Sequence, residues 1–287
     1  MSEGFIPETL EEALEIMAAN ETIPIAGGTD LMVQYRREGG ISPQFEEPLL
    51  FLDKIDQLRH IDSNSERLVI GSGVLLRDLI DDKRIPNVLR ETARQMAAVT
   101  TRNVATIGGN ISNSSPAADT LPFLYAVNAS VVLQSAENVR EVPVDEFVTG
   151  PGHSCRKFDE LMVEIRIPQE NFDVEYYRKV GTRKAMALSK VSFVGMASFT
   201  NEKLSDIRIA LGAVAPKIVR QKSLENRLKG LSKKEIKEIL PEFREGYEKH
   251  IQPIDDARST KEYRKSVSLD MIKAFIEEKI LENRQLK

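Results

Sequence analysis

Two short glycine-rich segments hold the residues of this 287-residue chain whose types and spacing suit chemistry. The first is Ile25-Ala26-Gly27-Gly28-Thr29-Asp30-Leu31, which ends a short apolar run. The second is Thr106-Ile107-Gly108-Gly109-Asn110. It opens a stretch of small and polar residues that continues through Ser115 to Asp119. Glycine admits positive φ and lets a ligand approach the backbone. Successive backbone N–H groups in such a turn form a small anion-binding cup. A diphosphate suits that cup, because N–H donors satisfy its charge without lysines. The Thr29 hydroxyl adds a donor to the first segment. Asp119 places a carboxylate within reach of a sugar or ribityl hydroxyl. A Gly-Gly pair after a strand is also a common tight turn, so neither segment alone decides between a ligand site and a turn.

Other chemistries are disfavoured. The spacing G-x-G-x-x-G is absent, which argues against a nicotinamide cofactor on a Rossmann domain. G-x-x-x-x-G-K-[ST] is absent too, which argues against a P-loop ATPase. Cys155 is the one cysteine, so the chain forms no intramolecular disulfide and no four-thiolate cluster. If the chain handles electrons, it does not do so with its own iron, which favours an organic cofactor or a small ligand. His153 stands two residues before Cys155 with no further ligand nearby in sequence, so a loop is expected there and no metal site.

The elements that must position these segments follow from the patterning. Thr9 and Glu12 form a helix-opening box, and Leu10, Ala13, Leu14, Met17 and Ala18 follow helical spacing. Strands are expected at 23–26, 49–52, 68–70, 131–133 and 161–167, and a helix at 86–96. Pro168 and the polar stretch 169–173 mark a domain boundary. Beyond it, 190–200 and 207–215 read as paired antiparallel strands, and 232–240 and 269–281 as helices. Leu269, Ile272, Ile276 and Ile280 form one apolar stripe, expected in the core. Strands and helices mix without regular alternation, which predicts an α+β architecture in place of a doubly wound parallel sheet. With 41% apolar and 29% charged residues and a net charge of −4, the chain is of globular type with no basic face for nucleic acid. Lys233 and Lys234 are followed by Glu235 and Glu238, a solvated helix face. No stretch approaches the roughly 20 apolar residues that span a bilayer. The start, MSEGFIPETLEEALEIM, lacks a basic segment followed by an apolar one, so a cytoplasmic location is expected.

IAGGTDL followed by TRNVATIGGNISNSSPAADTLP resembles the FAD-binding (medium) subunit of the molybdenum hydroxylases, the family of carbon monoxide dehydrogenase and xanthine dehydrogenase. RKVGTRKAMALSKVSF resembles the opening of that family's C-terminal domain. Asp255-Asp256-Ala257-Arg258 with Glu262-Tyr263-Arg264 resembles its last segment. The resemblance implies a two-subdomain FAD-binding domain over 1–172 and a smaller α+β domain over 173–287. It implies noncovalent FAD, since His60, His153 and Cys155 stand in no matching covalent-attachment motif. By the family pattern, Ala26, Gly27, Gly28, Thr29 and Asp30 wrap the diphosphate with backbone donors, and Ile25 and Leu31 on either side belong to the cofactor-binding set. Thr106, Ile107, Gly108, Gly109 and Asn110 form a second wall, with Ile107 close to the flavin ring. Ser115 and Asp119 contact the cofactor's polar chain, Met162 packs on the adenine side, and Lys179 lies near the flavin. Molybdenum–pterin would sit on a large partner subunit and [2Fe–2S] clusters on a small one. Electrons would pass from the clusters through FAD to an external acceptor, with NAD, a quinone or another protein open, and no residue here need be an acid, base or nucleophile. Two alternatives stand beside this one: a stand-alone FAD-dependent reductase of the same superfamily, and a non-enzymatic nucleotide-binding protein.

Overall fold

The computed structural model describes residues 4–36, 43–183 and 186–282. The first three residues of the opening segment, and Lys184 and Ala185 of the motif that opens the second half, lie outside them. The chain forms two compact units, each assembled from separate segments. One comprises 1–85, 97–114 and 128–169; the other comprises 86–96, 115–127 and 170–287.

The first unit carries two sheets. Gly4–Phe5, Leu49–Phe51 and Ile23–Ile25 form a small parallel sheet with Leu49–Phe51 in the middle. The helix Leu10–Ala19 begins where expected: the Thr9 hydroxyl accepts from the Glu12 N–H at 3.2 Å. The Glu12 carboxylate reaches back one residue further than the box requires, to the Glu8 N–H at 2.8 Å. The helix buries Ala13, Leu14 and Met17 against Leu50, Ile55 and Leu58 and against Val132, Leu161 and Val163 of the second sheet. That second sheet is antiparallel and five-stranded, in the order Ile61–Ser63, Arg67–Gly71, Leu161–Pro168, Ser130–Gln134, Val139–Pro143. Along Leu161–Pro168, Ile165 and Ile167 are buried while Glu164 and Arg166 face outward with Glu141, the alternation of a sheet with one wet face.

The second unit is built on an antiparallel meander of Val174–Val180, Val191–Thr200, Lys203–Gly212 and Val219–Arg220. The helix Lys233–Glu248 opens with the capping box of Ser232 and Glu235 and runs on through Pro241. The expected end at 240 was therefore too early. The helix Lys261–Ala274 continues as a π-helical stretch, Phe275–Leu281. Ile272, Ile276 and Ile280 are fully buried in this unit's core, as their stripe implied. The helices Asn87–Gln95 and Thr120–Ala126 come from the N-terminal half of the chain yet pack on the meander. The division into packed units is therefore interleaved along the sequence, where one cut near 172 was expected.

Candidate cofactor site

The strand Ile23–Ile25 stops because the chain has to turn at the sheet edge. At Gly27 the backbone lies flat on its neighbour: a Cβ there would sit 2.0 Å from the Val104 carbonyl oxygen. Gly28 then takes φ +65°, the left-handed conformation that favours glycine. Thr29 and Asp30 are exposed, and the helical turn Leu31–Gln34 follows. Among the described residues, none of the backbone N–H groups of Ala26, Gly27, Gly28, Thr29 and Asp30 donates a hydrogen bond within the protein. Two residues outside the expected contact set close this turn, Gln34 and Asn113. The Gln34 side-chain amide donates to the Asp30 carboxylate, and also to Asn113 Oδ1 at 2.7 Å.

The second glycine pair behaves differently. The segment expected as a loop is the first turn of a short helix, Ile107–Ser112, capped by the Thr106 hydroxyl. Its N–H groups are already engaged. Ile107 N–H bonds to the Val74 carbonyl (3.0 Å), Gly108 N–H to the Ser72 carbonyl (2.9 Å), Gly109 N–H to Thr106 Oγ1 (3.0 Å) and Asn110 N–H to the Thr106 carbonyl (3.1 Å). This segment therefore offers no backbone cup. Gly108 is there for packing, since a Cβ would fall 2.5 Å from Ser72 Cβ. Gly109 is exposed, and an added Cβ would meet only Thr106 Oγ1 of its own cap. That face of the helix is open to close approach.

Five other expected contacts look different in three dimensions. Ile107 is fully buried and Met162 is 3% exposed, so both side chains belong to the core of the first unit. The Ser115 hydroxyl accepts from the Ala117 N–H at 3.2 Å and closes a local turn. Asp119 and Lys179 pair with each other inside the second unit, Oδ2 to Nζ at 2.6 Å. Lys179 Nζ also donates to the Gln95 carbonyl, and the Ser189 hydroxyl to the other Asp119 oxygen. Burial pushes the Asp119 carboxyl up despite the opposing pull of Lys179 and Ser189. The neighbouring Tyr177 phenol is driven well above its ordinary range by burial, with the Asp119 and Glu91 charges adding to it.

Asp119 stands at the head of Thr120–Ala126, every residue of which is buried. A buried helix end needs partners for its carbonyls. Arg208 Nη1 bonds to the Ala126 carbonyl at 3.1 Å, and Arg220 Nη1 to the carbonyls of Tyr125 and Ala126 at 2.5 and 3.0 Å. Buried Glu225 neutralises Arg220 at 3.1 Å. The last sequence motif serves the same unit. Arg264 joins Asp256 (2.7 Å) to the carbonyls of Lys190 and Ala213, and the Ala213 N–H holds the Pro116 carbonyl. The carbonyls that these arginines hold lie at least 51 residues away in the chain, so no local sequence signal marks that role.

A cofactor diphosphate fits the turn at 26–30. Among the described residues its N–H groups have no acceptor within the protein, its glycines remove side-chain bulk, and Gly109 leaves the face of its helix clear. Among the described residues, no three His, Cys, Asp or Glu side chains gather as metal ligands, and no helix is long and apolar enough to cross a membrane.

Comparison with known proteins agrees with this geometry. Residues 2–170 match the family model of the FAD binding domain in molybdopterin dehydrogenase. Residues 175–279 match that of the CO dehydrogenase flavoprotein C-terminal domain. The chain is 28% identical to the glyceraldehyde dehydrogenase medium chain of Sulfolobus acidocaldarius, over 94% of this chain and 95% of that one. It is also 28% identical to the xanthine dehydrogenase FAD-binding subunit of Escherichia coli O157:H7, over 95% and 94%. A solved carbon monoxide dehydrogenase chain from Hydrogenophaga pseudoflava superposes with a TM-score of 0.86 at 27% identity, covering 95% of this chain and 94% of that one. The chain belongs to the family of FAD-binding medium subunits of the molybdenum hydroxylases.

Proposed function

We propose that this chain is the FAD-holding, electron-transferring subunit of a molybdenum-containing dehydrogenase or hydroxylase in the cytoplasm. It receives electrons from [2Fe–2S] clusters on a small partner subunit and delivers them to an external acceptor, with NAD as one candidate. The substrate is oxidised at a molybdenum–pterin centre on a large partner subunit. We divide the chain functionally into a FAD-binding part, 1–172, and a C-terminal part, 173–287. The observation that carries the reading is the open turn at 26–30, in a chain that medium-type subunits match along nearly its whole length.

In this reading the backbone N–H groups of 26–30, with the Thr29 hydroxyl, hold the diphosphate of FAD. Gly109 leaves space beside it. FAD, once bound, supplies the exchange of single electrons on one side and of an electron pair on the other. The chain itself binds and orients the cofactor. No side chain is assigned as general acid, general base or nucleophile.

The experiment is purification of the native complex, with assay of flavin, iron, molybdenum and partner chains. FAD on this subunit beside a cluster protein and a molybdenum protein is the expected result. A lone flavoprotein that oxidises NADPH against its own substrate would overturn it in favour of the stand-alone reductase. A chain that takes up no FAD, alone or with its partners, would leave the nucleotide-binding alternative.

A further inference from the structure

The first glycine turn contains an electrostatic problem. Asp30 places a carboxylate at the end of a segment whose N–H groups, among the described residues, donate to no acceptor within the protein. A carboxylate free to swing into that turn would compete for the same donors and repel a diphosphate. The structure gives this carboxylate another destination. Asp30 heads the short helix Leu31–Gln34 but makes no side-chain cap bond to it. Its oxygen instead accepts from the Gln34 side-chain amide, four residues on. The second N–H of that amide is anchored on Asn113 Oδ1 at 2.7 Å, just past the helix of the second glycine pair.

We propose that Gln34 is a positioning residue for the diphosphate turn: its amide holds the Asp30 carboxylate along the helix, out of the N–H cup, and uses Asn113 as the fixed point. The inference rests on the assignment of 26–30 to the FAD diphosphate. Both hydrogens of one amide nitrogen are used, one on each acceptor, so the amide's orientation is set from two sides. Glutamine suits the task because it donates without adding charge. Glutamate would add a second negative charge beside Asp30, and lysine would bring a cation able to bind the diphosphate directly.

The test is titration of the full-length chain, freed of flavin, with FAD, followed by flavin fluorescence at low and high salt. Gln34→Ala is expected to raise the FAD dissociation constant about tenfold at low salt, the order expected from one nearby unscreened like charge. The loss should shrink as salt screens the repulsion. Asp30→Asn in the Gln34→Ala background should restore most of the affinity, because no carboxylate is left to restrain. A merely structural role predicts the opposite: the double variant binds no better than Gln34→Ala, and salt makes no difference. That result overturns the proposal. If the unsubstituted chain binds FAD but the phosphorus NMR signals of the diphosphate stay at their free positions, the turn assignment fails and takes Gln34 with it. Absence of FAD binding by the unsubstituted chain, both alone and with its partners, removes the cofactor reading itself.

Discussion

The two glycine pairs look alike in sequence and are opposite in structure. Among the described residues, the backbone donors around Gly27 and Gly28 have no acceptor within the protein, and the turn is open. Around Gly108 and Gly109 every donor from Ile107 to Asn110 is bonded to the chain itself. Within each pair the glycines also divide their labour. The first, Gly27 or Gly108, lets backbone pack on backbone. The second gives a left-handed turn at Gly28 and an open face at Gly109. A polar group marks a binding site when the fold leaves it without a partner. The same criterion applies to Asp119, whose carboxylate is taken up by Lys179 and Ser189.

The largest expected effects test the packing half of this contrast. Gly27→Val and Gly108→Val should each cost at least about 3 kcal/mol, the upper end for overpacking. Their Cβ atoms would fall 2.0 and 2.5 Å from neighbouring atoms of the fold. Urea unfolding of the flavin-free chain reads this directly. An unchanged midpoint would mean that these glycines serve the ligand instead. Asp119→Ala should come next. It strands a buried lysine, which costs about 3–5 kcal/mol when a buried pair is broken. The loss should appear in thermal melts without FAD. If only FAD affinity falls, Asp119 belongs to the cofactor site and the contrast breaks.

Gly28→Val and Gly109→Val should then sharpen the binding half. Gly28→Val costs about 1–2 kcal/mol for the left-handed conformation, and it crowds Ile25 and Met32, whose atoms an added Cβ would meet at 3.2 Å. Gly109→Val should leave the flavin-free chain as stable as before. Both should abolish FAD retention on gel filtration, and full flavin occupancy in either would sink the assignment of that glycine.

A pH-dependent effect concerns Glu160, another carboxylate engaged by the fold. Arg140 clamps it at 2.7 and 2.8 Å and holds it below its ordinary value, with the Lys157 N–H adding to the effect. A depressed carboxyl contributes stability above its unfolded value of about 4.3 and loses it as the pH falls through the folded-state value. The stability gap between the unsubstituted chain and Glu160→Gln should therefore be about 1–3 kcal/mol at neutral pH. It should narrow on acidification below about pH 4.3. A gap that widens in acid would show that Glu160 is held by something other than Arg140.

What the sequence determined is what depends on near neighbours in the chain. The Thr9 and Ser232 caps, the buried stripe of Ile272, Ile276 and Ile280, and the principal strands all follow from spacing of a few residues. The glycine motifs also carried the family, because the long motif strings were present in order. Tertiary structure alone decided which donors stay open. Whether Gly108 N–H or Gly28 N–H has an acceptor depends on a carbonyl such as that of Ser72, distant in the chain. The pairing of Asp119 with Lys179 joins residues 60 apart, and the Arg208 and Arg220 bonds to the end of Thr120–Ala126 span still more. The interleaving of 86–96 and 115–127 with the C-terminal half has the same origin. Local patterning can state that a helix is apolar all round. Only long-range packing selects the partner that covers it and the polar groups that remain for a ligand.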